Sequence, residues 1–143
     1  MADVEIEKKF PNISGEGYVE TSLPDLKYNC IAWAANDNKR FWWPDWQHVG
    51  FWPISLRAVR LDNFIAAFAT LGYERCDSGE LEDDFEKVVI YLNSTGAPTH
   101  MARQLKDGKW TSKLGPYKDI SHTLNGVEGS EYGYVGTFLR RKV

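Results

Sequence analysis

The chain has 143 residues, 43% of them hydrophobic and 26% charged, a composition that predicts one folded domain and excludes a disordered or low-complexity chain. Its 17 lysines and arginines face 20 acids, and the net charge of −3 argues against a phosphate-driven nucleic-acid binder. No apolar run reaches the ~18 residues of a membrane helix, and Met1-Ala2-Asp3-Val4-Glu5 is no signal peptide. We therefore expect a cytoplasmic protein, or one exported without a signal peptide, with no membrane or nucleic-acid partner.

Residues 1–24 hold Pro11, Gly15, Gly17 and Pro24 among scattered apolar positions and read as an irregular lead-in to a single domain spanning 1–143. The alanine-rich run Tyr28-Asn29-Cys30-Ile31-Ala32-Trp33-Ala34-Ala35 predicts a first helix, with Asn29 or Asp25 as its cap and Asn36-Asp37-Asn38 as its end. Cys30 then falls in the first helical turn. The block from Phe41-Trp42-Trp43-Pro44-Asp45-Trp46 through Phe51-Trp52-Pro53 holds four of the six tryptophans, and its two prolines and Gly50 make it a loop. The block reads as mainly core, with one or two rings lining a cleft beside the Cys30 helix; the alternative is that exposed Trp42, Trp43, Trp46 and Trp52 form a stacking platform. Asn29, Trp33, Trp42 and Trp43 are the candidate substrate contacts.

Leu61, Phe64, Ile65, Phe68 and Leu71 recur at helical spacing and Gly72 stops the second helix. Beyond it the period changes to that of strands, predicted over residues 86–92, 99–105, 110–114 and 132–139, with Asp107-Gly108 as a hairpin turn and Gly115-Pro116 in a looser connection. Two helices followed by four strands predict a segregated α+β domain, with N-terminal helices, the Cys-bearing one first, packed on an antiparallel sheet of four or more strands.

The sharpest chemical arrangement is a thiol at a helix start and an imidazole, His100, at a strand start. A helix N-terminus lowers a thiol pKa, and a neighbouring histidine can take the proton and return it to a leaving group. Read singly, each residue has a plainer account, Cys30 as a small core hydrophobe and His100 as a hydrogen-bonded turn residue. Cys76 reads as a packing or exposed bystander thiol, His48 as a loop or surface residue, and the five acids within Glu80–Glu86 as a solvated loop. Two cysteines without CxxC, HxxxH or HExxH spacing give no reason to expect a metal or any other cofactor.

The Tyr28-Asn29-Cys30-Ile31-Ala32-Trp33-Ala34 segment, followed by Glu86-Lys87-Val88-Val89-Ile90-Tyr91 and Pro98-Thr99-His100-Met101-Ala102-Arg103-Gln104-Leu105, resembles the compact papain-like folds of the NlpC and CHAP type. That resemblance implies a nucleophilic Cys30, His100 as base and then acid, and a third polar residue orienting the imidazole. Ser112 occupies the hairpin position where the third residue is expected, but serine is a poor orienter; His122 and Gln104 are the alternatives, His122 being slightly favoured. The block Asp107-Gly108-Lys109-Trp110-Thr111-Ser112-Lys113-Leu114-Gly115 with Ile120-Ser121-His122 looks like an uncharacterised bacterial domain family, which implies no activity of its own.

The expectation is a cysteine-dependent hydrolase or acyl transferase acting on an amide bond of a peptide, glycopeptide or protein. One alternative is a non-catalytic binding module that uses an aromatic groove. The other is a toxin of bacterial competition, or its antidote, with a cognate protein partner.

Overall fold

The computed structural model describes residues 4–22, 25, 27–114 and 118–143. Pro24 and the Gly115-Pro116 connection lie outside the described residues. Four short helices, α1 (Val4–Lys9), α2 (Ile13–Glu16), α3 (Cys30–Ala34) and α4 (Leu61–Ala69), pack against an antiparallel sheet. Its strands are β1 (Tyr18–Glu20), β2 (Glu74–Cys76), β3 (Phe85–Leu92), β4 (Pro98–Gln104), β5 (Trp110–Lys113), β6 (Asp119–His122) and β7 (Tyr134–Lys142), arranged in the order β1-β6-β5-β4-β3-β7-β2. The strands β3 to β6 form a meander in which each pairs antiparallel with the next along the chain. Between β4 and β5 that turn relies on Gly108, whose φ of 89° suits a residue without a side chain.

Both faces of the sheet are covered, which explains the near-continuous apolar run of β3. Side chains alternate along a strand, so Val88 and Ile90 face one layer while Val89 and Tyr91 face the other. The first layer contains Ile31, Ala32 and Ala34 of α3, Phe64 and Phe68 of α4, and Trp42 and Trp52, packed on Met101 and Leu139. The second contains Ile6, Phe10 and Ile13 from the N-terminal segment, with Trp110, Ile120 and Val127.

The expected irregular lead-in is thus corrected: it forms α1, α2 and β1, and supplies the apolar cover of the second face. Ile6, Phe10 and Ile13 stand at helical spacing, but Pro11 breaks the pattern into pieces too short to read as helix. β6 was likewise missed, and His122, expected in a loop, is its last residue. At four residues with polar side chains at three positions, β6 carries no apolar alternation to announce it.

Candidate functional site

The structure brings three of the expected catalytic residues together. His100, Ser112 and His122 face the second layer, where their side chains form one chain: His100 Nε2 lies 2.9 Å from Ser112 Oγ, and Ser112 Oγ 2.6 Å from His122 Nε2. His122 Nδ1 is 2.6 Å from the Thr123 carbonyl, which can only accept, so Nδ1 carries the proton. His122 Nε2 is therefore the acceptor for the Ser112 hydroxyl, and Ser112 Oγ accepts from His100 Nε2–H. This order leaves a bare lone pair on His100 Nδ1, which is buried and has no hydrogen-bond partner. The His100 ring is fully buried, stacked 3.8 Å from Tyr132. Burial, with the neighbouring His122, holds the His100 pKa well below the usual value, and burial brings His122 down to about 4.

Cys30 is not part of this chain. It packs with α3 against the first layer, beside Met101, whereas His100 stands one residue before Met101 and points to the opposite face. The expected Cys30–His100 pairing is corrected on that ground: the sheet lies between thiol and imidazole. Gln104 does not reach His100 either, because its amide donates to the Gly79 carbonyl at 2.7 Å. Burial pushes the Cys30 thiol up to about 11, outweighing the backbone hydrogen bonds that favour its charged form.

On the face that Cys30 does share lie buried Lys113 and Asp119, register partners on β5 and β6. Tyr28 donates to Asp119 Oδ2 at 2.8 Å, and Lys113 Nζ sits 5.2 Å from the Tyr28 ring centre. Burial, then the adjacent carboxylate, push the Tyr28 hydroxyl up to about 12. Burial lowers the Lys113 pKa, opposed by the charges of Asp119, Asp25 and Cys30. Trp33 is half-buried here, its indole N–H donating to Thr111 Oγ1 at 3.0 Å and its ring stacked on Tyr28.

The tryptophan block divides in two. Trp42, expected at the substrate, is in the core, edge-on to Phe51 and Trp52. Trp43 is half-buried against Phe64, so neither ring forms an open platform. Asn29 is equally committed: its Oδ1 accepts from the Ala32 and Trp42 amides, and its Nδ2 donates to the Trp42 carbonyl at 2.6 Å. It caps α3 and clamps the loop, a structural role that accounts for its Oδ1 and one N–H of its amide.

What is exposed is the rest of the loop. Trp46 and Val49 are 80% and 84% exposed, and Phe41, Leu56 and Val59 are exposed as well. Yet the backbone beneath them is tied at many points. Asp45 accepts from the Val49 and Gly50 amides at 2.8 and 2.7 Å, which keeps its carboxyl below the usual range. Arg57 donates to the carbonyls of Asp45 and Gly50, both at 3.0 Å. Buried Asn63 accepts from the Trp52 indole and the Ala58 amide and donates to the Leu56 carbonyl. Gly50 passes so close to Trp43 that a Cβ there would meet its carbonyl oxygen at 2.8 Å.

A family model described as a domain of unknown function, DUF7689, matches residues 20–140. The chain belongs to that family. No curated protein and no solved structure matches it.

In this DUF7689 chain, sequence reading missed two features of the site. One is the Lys113–Asp119–Tyr28 group, signalled only by a lysine set between Ser112 and Leu114 in a strand otherwise suited to burial. The other is the split between buried Trp42 and exposed Trp46, for which the sequence offers no signal beyond Asp45 and Gly50, the turn formers. Among the described residues, no three His, Cys, Asp or Glu side chains converge as a metal site, and no helix is long and apolar enough to cross a membrane.

Proposed function

We propose that this protein is a non-catalytic interaction module that holds a peptide or protein partner through the loop of residues 39–60. The observation that carries this reading is a rigid loop with an exposed apolar tip, Trp46 and Val49, that contributes nothing to its own core. Apolar side chains held out in water on a fixed backbone suit an interaction surface, and tryptophan and arginine dominate the energetic centres of such surfaces. A backbone already fixed by Asp45, Arg57 and Asn63 loses little further freedom on binding, which favours affinity. The test is panning of a random peptide library and a glycan array on the wild type and on Trp46→Ser/Val49→Ser. Ligands enriched on the wild type should bind at least about tenfold more weakly to the double variant and quench or shift tryptophan emission. Equal binding to both proteins, or no ligand for either, refutes the reading.

A second reading retains thiol chemistry at Cys30 and is favoured by the burial of Lys113 and Asp119 on the same face. In a papain-like arrangement the base comes from the sheet surface facing the thiol. Here β4 presents Met101 and Arg103 to α3, and β5 presents Thr111 and Lys113. Lys113 accepts the Cys30 proton, and the thiolate adds to an amide carbonyl of a peptide, glycopeptide or protein. The C–N bond then breaks as Lys113 returns the proton to the departing amine, and water hydrolyses the thioester left on Cys30. Lys113→Met should slow alkylation of Cys30 by iodoacetamide, because it removes the charge that favours the thiolate. An unchanged rate removes this reading.

A further inference from the structure

Beside the exposed loop, a groove of about 440 Å³ runs between the start of α4 and the turn joining β3 to β4. It falls within the range of about 300–1,000 Å³ usual for binding pockets. Val59, Leu61, Ile65 and Ala97 give it apolar lining, and Arg60 and Arg75 supply its cationic groups. Val59 and Arg60, the last residues of the loop, line the groove, so loop and groove adjoin along the chain.

The two arginines are open to a ligand. Among the described residues the Arg60 side chain pairs only with Asp62, which also lines the groove, at 3.0 Å with side chains 71% and 70% exposed. An ion pair so exposed is worth little and yields readily to a competing carboxylate. Arg75 is exposed and has no carboxylate partner among the described residues. Residues 37–62 hold Lys39, Arg40, Arg57 and Arg60 against Asp37, Asp45 and Asp62, a local charge of +1 in a chain whose net charge is −3.

We infer that this groove and the adjoining loop dock an acidic peptide segment of a partner protein, an aliphatic side chain seated on the Val59–Ile65 lining and flanking carboxylates paired with Arg60 and Arg75. The inference rests on the interaction-module reading and names the partner's chemistry. An apolar lining between guanidinium groups suits an acidic segment with an aliphatic anchor, and repels a basic one. The concave shape favours a chain segment over a flat membrane surface.

The experiment uses fluorescein-labelled Glu-Glu-Leu-Asp-Glu peptide, its neutral counterpart Gln-Gln-Leu-Asn-Gln, and anionic vesicles of phosphatidylserine in phosphatidylcholine. These are titrated against wild type, Arg60→Glu/Arg75→Glu and Trp46→Ser/Val49→Ser. The acidic peptide should bind at least about tenfold tighter than the neutral one, weaken as salt is raised, and lose about tenfold or more in the arginine variant. Both arginines are exposed, so that variant should keep the wild-type circular dichroism and melting temperature. Equal affinity for the two peptides, or binding untouched by the arginine changes, overturns the inference. Library peptides that need Trp46 but show no acidic preference overturn it while leaving the interaction module standing. Acidic-peptide binding that needs the arginines and ignores Trp46 and Val49 supports the groove and refutes the loop reading. Binding to vesicles alone overturns it, and so does salt-sensitive dimerisation abolished by Arg60→Glu/Arg75→Glu, which assigns the groove to a second copy.

Discussion

Mild acid should unfold this protein through its buried histidine chain. In the native state the His100 Nε2–H, the Ser112 hydroxyl and the His122 Nδ1–H each have an assigned acceptor, and both rings are neutral. A further proton must enter at His100 Nδ1, where no acceptor waits, or at His122 Nε2, where it displaces the Ser112 hydrogen bond. In the unfolded chain both rings take up protons at ordinary values near 6.5. Native-state pKa values are depressed, so below pH ~6.5 the unfolded state binds more protons and stability falls as pH falls. For His122 the drop from 6.5 to about 4 corresponds to about 3 kcal/mol, at ~1.36 kcal/mol per tenfold change in proton affinity. The loss is complete once the pH reaches the native value. His100 is shifted in the same direction and steepens the decline.

Urea unfolding followed by tryptophan emission, repeated from neutral pH to about pH 4, measures this directly. The expected record is constant stability above pH ~6.5, then a decline of about 3 kcal/mol or more through the window. The variant His122→Gln should be less stable at neutral pH, yet show a shallower decline, because one of the two titrating rings is gone. A flat profile down to about pH 4, or an identical slope in His122→Gln and the wild type, refutes the proton assignment.

Three further outcomes are expected. Ser112→Ala leaves His100 Nε2–H and His122 Nε2 buried without partners and should cost about 2–4 kcal/mol in a thermal or urea melt, far more than loss of one exposed hydroxyl. Asn63→Ala strips partners from the Trp52 indole, the Ala58 amide and the Leu56 carbonyl; it should lower stability by about 2–3 kcal/mol and speed amide exchange in the 39–60 loop. Cys30, held protonated by burial to about pH 11, should alkylate more slowly at neutral pH than a free thiol peptide. Mass mapping of iodoacetamide adducts checks this, and fast labelling of Cys30 contradicts the burial argument.

Local pattern carried much of the fold. Helix α4 was legible because Leu61, Phe64, Ile65 and Phe68 repeat at helical spacing and Gly72, at φ 92°, ends the turn. The strands β3, β4, β5 and β7 were legible from β-rich runs and the Asp107-Gly108 turn. Such signals act between residues a few positions apart and survive without knowledge of what packs on them. Short pieces were not legible: α1, α2, β1, β2 and β6 hold three to six residues each, too few to display a period.

The site depended on something no period reveals. A strand buried on both faces gives no apolar-polar alternation, so nothing in Pro98-Thr99-His100-Met101-Ala102 says which side chain meets α3. The answer rests on strand register, where a slip of one residue reverses every side chain. Met101 drew the place beside Cys30, and His100 went to Ser112 and His122 on the other side. Composition and spacing alone determined that this chain has an α+β fold with an antiparallel sheet. Tertiary structure alone decided which polar groups share a face, and which tryptophan stays in water, because both follow from contacts between elements far apart in the chain.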